Sequence, residues 1–104
     1  MSLGGDLAKA HGEQIRLAAL QLLAEMPSRS LIEQSLHPAI EAMDLPCTAD
    51  QLRGHLTWLS EQGLVDAETN SRGDLKATLL ERGYEVARGA TFVPGVARAK
   101  LRRS

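Results

Sequence analysis

Cysteine occurs once in the 104 residues, at Cys47. That excludes an internal disulfide and suits a reducing cytoplasm. Aromatic residues are as scarce: Trp58, Tyr84 and Phe92 are the whole set. The core must therefore be built from Leu, Ile, Val, Met and Ala, a composition that favours helices over sheets. No apolar run approaches the roughly 18 residues needed to span a bilayer, and no basic-then-apolar leader opens the chain. A soluble, cytoplasmic protein with no membrane association is the expectation. There is no glycine-rich phosphate loop and no nucleophile elbow. His11, His37 and His55 are too dispersed for a local metal pattern, and Cys47 has no second cysteine at zinc-site spacing. Cys47 precedes a helix start, where a thiol pKa can fall, but a half-buried turn residue accounts for it more simply. The chain is expected to be no enzyme and to need no cofactor or metal.

A hydrophobic content of 43% in 104 residues suffices for one core and not for two. The net charge of −1 conceals an asymmetry. Residues 1–87 hold all 13 acidic residues against 7 Lys/Arg, a net −6, whereas residues 88–104 hold Arg88, Arg98, Lys100, Arg102 and Arg103 and no acid. An acidic body with a basic end is the result.

Local signals divide the chain into four helices and a hairpin. The spacing of Ile15, Ala19, Leu22, Leu23 and Met26 predicts a helix over residues 6–26, stopped by Pro27. Leu17 and Leu20 fall off that face, so the helix is either central and covered on two sides or carries a dimer seam. Ser30 and Glu33 read as a capping box for a second helix running to about residue 43. Pro38 within it predicts a kink or a break. Thr48 and Gln51 form a second box, opening a helix over residues 48–62 with Leu52, Leu56 and Leu59 buried and Gly63 as its left-handed stop. Residues 64–68 and 74–77 read as paired strands around the turn Thr69-Asn70-Ser71-Arg72-Gly73-Asp74. Thr78 and Glu81 read as a third box, starting a helix whose inward residues are Leu79, Leu80, Val86 and Ala87 and which stops at Gly89. Residues 1–89 make the domain, and 90–104 an extended or disordered basic tail.

Helix, β-hairpin, helix within about forty residues is the order of the C-terminal half of a winged helix-turn-helix domain. The run Leu56-Thr57-Trp58-Leu59-Ser60-Glu61-Gln62-Gly63-Leu64-Val65-Asp66 resembles the end of the recognition helix and the start of the wing in winged-helix repressors. The segment Ala77-Thr78-Leu79-Leu80-Glu81-Arg82-Gly83 is similar to the return strand and following helix of MarR-like and ArsR-like regulators, although Leu80 stands where their threonine is usual. The Ala87-Arg88-Gly89 ending followed by Val93-Pro94-Gly95-Val96 resembles small winged-helix proteins of Mu-like bacteriophages and prophages. These likenesses lie within residues 30–97. They imply a mainly α fold with a three-helix core, a two-stranded wing and a C-terminal helix.

In such a fold the helix at 48–62 would face the DNA major groove. Gln51 suits adenine and Arg53 guanine, with Thr48, His55 and Thr57 as further contacts. Asp50 and Glu61 carry the wrong sign for that role, so the same face also reads as an ordinary solvated one. Arg72 and Lys76 on the wing, and Arg98, Lys100, Arg102 and Arg103 in the tail, would contact phosphates. The basic tail can equally bind an acidic partner or merely solubilise. Trp58 either packs beneath the second helix or the wing, or makes a protein contact. Two functions from different classes follow. One is a DNA-binding regulatory protein on double-stranded DNA, with a homodimer through Leu17 and Leu20. The other is a non-catalytic protein-interaction or assembly module on the same fold, with Trp58 at its contact surface.

Overall fold

The core is built on the apolar ridge that starts at Ile15. In the computed structural model, which describes residues 3–100, it lies on α1 (Leu3–Glu25). Then come β1 (Ser30–Ile32), α2 (Glu33–Glu41), α3 (Ala49–Glu61), β2 (Val65–Thr69), β3 (Leu75–Leu79) and α4 (Glu81–Ala87). The fold is mixed α/β, with four helices and one small antiparallel sheet of strand order β1-β3-β2 among the described residues. No described helix is long and apolar enough to cross a membrane.

Helix α1 is the centre of the molecule. Leu17 and Leu20 are 7% and 0% exposed, in one core with Ile15, Ala19 and Leu23. They are not a dimer seam: both are consumed inside one chain, where α1 is flanked by α4, α3 and α2.

Helix α3 forms as its local sequence dictates. Thr48 accepts from the Gln51 amide at 3.0 Å, and the Gln51 side chain accepts from the Thr48 amide at 2.9 Å. Leu52, Leu56 and Leu59 are fully buried. Gly63, at φ 73°, ends the helix, with Gly63 N–H bonded to Ser60 and Leu64 N–H to Leu59, both at 3.0 Å. That is a complete Schellman closure.

The other two capping boxes do not exist. Ser30 lies in β1 and Thr78 in β3, opposite one another in register, with their hydroxyls 2.8 Å apart. The sheet is therefore three-stranded, one strand more than the β2–β3 hairpin alone. Helix α2 starts at Glu33 behind Ile32, and α4 starts at Glu81 behind Leu80, neither with a side-chain cap. Leu79 points into the core from β3, while Leu80 is exposed.

Pro38 does not split α2, which continues to Glu41. An interior proline costs about 3 kcal/mol. Burying Leu36 and Ile40 completely contributes roughly 1.5–3 kcal/mol each, enough to hold the nine-residue helix together. The helix stops two residues early, so Met43 is exposed, and Asp44 takes a left-handed turn at φ 61°.

Residues 90–100 hold no helix or strand, yet they are not a separate tail. Val93 and Val96 are 6% and 1% exposed and belong to the core. The Ala97 amide donates to the Glu13 carbonyl at 3.2 Å, laying the segment along α1. Arg102 and Arg103 lie outside the described residues.

Candidate nucleic-acid interface

The ridge of α3 that faces solvent is made of Asp50, Gln51, Arg53, Gly54, Thr57 and Glu61, all exposed. Beside it stands the turn between β2 and β3. Asn70 builds that turn from its own side chain, its Oδ1 accepting from the Arg72 amide at 2.9 Å and the Asp74 amide at 3.0 Å. Gly73 completes it at φ 83° with open space around it. Asn suits this place because its short amide can mimic a backbone turn.

Two side-chain bridges fasten the turn to the helices. Arg53 Nε donates to Glu33 Oε2 at 2.9 Å and Arg53 Nη2 to Glu33 Oε1 at 2.6 Å, while Nη2 also reaches the Gly73 carbonyl at 3.1 Å. The Gln34 amide donates to Asp74 Oδ1. Hydrogen bonding to Arg53 holds the Glu33 carboxyl below its ordinary range, against the opposing effect of partial burial. Glu33, Gln34, His37, Ala49 and Leu52 line a cavity of about 260 Å³ between α2 and α3. His37 Nε2 donates across the connection to the Cys47 carbonyl at 2.6 Å. Burial pushes the Cys47 thiol pKa up, away from a reactive thiolate.

The sequence-predicted readers separate into groups. Thr48 and Gln51 are engaged with each other as cap and box, which leaves the Gln51 NH₂ as a donor. Thr57 is exposed, its hydroxyl donating to the Arg53 carbonyl at 2.9 Å. Arg53 is tied to Glu33 and the β2–β3 turn. His55 is turned away from the ridge: its Nδ1 accepts from Arg16 Nε at 3.1 Å. Desolvation, with Arg16 and His11 nearby, lowers its pKa below the ordinary value. Arg72 and Lys76 are exposed on the β2–β3 hairpin, Lys76 opposite Glu68 and Ile32 across the sheet. Arg98 and Lys100 are exposed on the C-terminal segment, Arg98 stacked 4.6 Å over the Phe92 ring centroid.

Trp58 packs against the core between α1 and the C-terminal segment. Arg16 lies 4.4 Å over its ring, and Gly95 closes on its edge. Arg16 Nη1 donates to the Gly95 carbonyl at 2.7 Å. One guanidinium on α1 thus ties together His55, Trp58 and the C-terminal segment. The contacts of Arg16, Glu33 and Gly95 were not anticipated from sequence, because each is with a partner at least 20 positions away. Among the described residues, no group of three His, Cys, Asp or Glu side chains could hold a metal.

Over 90 residues, 86% of this chain and 92% of the relative, the sequence is 37% identical to the uncharacterized protein gp26 of Escherichia phage Mu. No family model and no solved structure matches the chain.

Proposed function

We propose that this chain, which belongs to the same family as gp26 of Escherichia phage Mu, is a phage-type winged helix-turn-helix protein that binds double-stranded DNA in the cytoplasm as a regulator. Helices α2 and α3 are its helix-turn-helix, and β2 and β3 its wing. The element order, with β1 pairing β3 behind the wing, supports that reading. The observation that carries it is the Arg53–Gly73 bond, which sets the wing turn directly beside the solvent ridge of α3. A groove helix and a wing braced together form the frame that sits on a duplex.

Among the described residues, the groups that the ridge and the wing offer to DNA are Gln51 and Thr57 on the ridge and Arg72 and Lys76 on the wing. Two cations give a small phosphate footprint. At about −0.9 per phosphate, the wing accounts for a salt slope of about −2. Binding is therefore weak and dominated by the backbone, with base contacts few.

A second reading is favoured by the sign of the ridge. Asp50 and Glu61 stand exposed there, and its single cation is paired with Glu33. Such a surface suits a neutral or basic protein partner, in a non-catalytic interaction module.

Fluorescence anisotropy of a labelled mixed-sequence duplex, titrated with the full chain at two salt concentrations, separates the two. The DNA reading expects salt-sensitive binding that Arg72→Ala with Lys76→Ala weakens, lowering the slope by about 2. Absence of binding at low salt leaves the protein-partner reading in possession of the ridge.

A further inference from the structure

Arg53 is the only lysine or arginine in α3. A guanidinium has five N–H groups and two edges at which two nitrogens point the same way. One edge is Nε with Nη2, the other Nη1 with Nη2. Both contain Nη2. Here the first edge is filled by the two oxygens of Glu33, at 2.9 and 2.6 Å, and Nη2 is shared again with the Gly73 carbonyl at 3.1 Å. Only Nη1 is uncommitted among the bonds that Arg53 makes. Neither a guanine O6/N7 edge nor a phosphate can be met by two nitrogens at once while this arrangement holds.

We infer that Glu33 masks Arg53: the carboxylate at the start of α2 occupies the fork that α3 would otherwise present to a guanine or a phosphate. The inference rests on the DNA-binding reading above and names the residue that limits it. Three features make this a mask rather than a brace for base reading. A brace leaves one two-nitrogen edge open, and none is open here. The wing carbonyl covers the remaining approach to Nη2. Gln34, one residue further along α2, holds Asp74 next to that carbonyl, so α2 secures the cover as well as the carboxylate. The pair also lies at the surface, where a duplex could compete for it: Arg53 is 45% exposed and Glu33 18%.

The test is anisotropy of a GC-rich duplex at fixed salt with full-length wild type, Glu33→Ala, and Glu33→Ala combined with Arg53→Ala. Thermal melts accompany each to show that it folds. Glu33→Ala is expected to bind on the order of tenfold tighter, the scale of one two-nitrogen guanine contact, with a salt slope steeper by about 0.9 if the contact is to phosphate. Adding Arg53→Ala should return affinity to the wild-type level. Simple loss of structure would not tighten binding. Should Glu33→Ala fail to fold, Glu33→Gln keeps the volume and removes the charge. If wild type binds and the Glu33 variant binds no better, the mask is refuted and the DNA reading stands. A gain that survives removal of Arg53 is general charge relief and refutes the mask too. No binding by any variant overturns both proposals.

Discussion

Replacing Gly95 by alanine tests whether the C-terminal segment belongs to the fold. Gly95 sits at φ +99°, and a Cβ there would lie 2.5 Å from Trp58 Cη2 and 2.6 Å from Cζ2. The backbone conformation alone costs an L-residue roughly 1–2 kcal/mol. The overlap is a separate matter, because the indole cannot retreat: Arg16 covers its face and α3 carries its root. The segment must lift instead, taking with it the Arg16–Gly95 bond and the burial of Val93 or Val96. Exposing one such valine costs about 1.5–3 kcal/mol. The sum is about 2.5–5 kcal/mol, and with about 4 °C per kcal/mol for a domain of this size, Tm should fall by on the order of 10 °C or more. Gly73→Ala is the control, since Gly73 also has positive φ but nothing within 4 Å of its Cβ. It should show the conformational cost without the overlap, a drop of about 4–8 °C. Trp58 is the sole tryptophan, so its emission reports the same event and should shift red in Gly95→Ala alone. Equal melting of the two alanine variants, with unshifted Trp58 emission, would refute the packing argument.

Three further outcomes follow from the same structure. Gly83→Ala would drive a Cβ into the Leu64 carbonyl oxygen, a backbone atom that cannot swing away, so it should destabilise more than Gly73→Ala in a denaturant melt. Leu20→Ala should cost about 2–5 kcal/mol and leave the sedimentation coefficient of the folded fraction unchanged, because the residue fills the core of one chain. The pH dependence of stability should show two steps in urea titrations. His55 has a lowered folded pKa, so its contribution is intact above the ordinary value of 6.5 and is lost as pH falls through the lowered one. Glu33 is lowered as well, and its contribution is lost below the ordinary 4.5 as pH falls through its folded value. His55→Gln should remove the first step and keep the second.

Helix α3 was legible from the sequence to within a residue at each end. Its cap, its box partner, its leucine stripe and its glycine stop all lie within a few positions of where they act. The same grammar failed at Ser30 and Thr78, and for one shared reason. Each has a glutamate three residues later, so each imitates a capping box. In the fold the two hydroxyls bond to one another across β1 and β3, 48 positions apart. A pairing across the sheet overrode two local signals together, and with them went the third strand. The C-terminal segment misled in the opposite direction. Its proline, glycine and basic residues are those of a loose tail, but Val93 and Val96 straddle a glycine small enough to admit the edge of Trp58. That fit depends on where α1 and α3 have placed the indole.

The candidate interface divides along the same line. Sequence by itself determined that α3 exists, which leucines it buries, and that a turn with Arg72 follows it, because helix period, caps and turn residues act over four positions or fewer. Whether a charge on that face is available was decided only by the tertiary structure. Arg53 meets Glu33 from 20 positions away, and Arg16 reaches His55 and Gly95 from 39 and 79. A guanidinium's partner is whichever acceptor packing brings within about 3 Å of it, and that distance is a property of the assembled core.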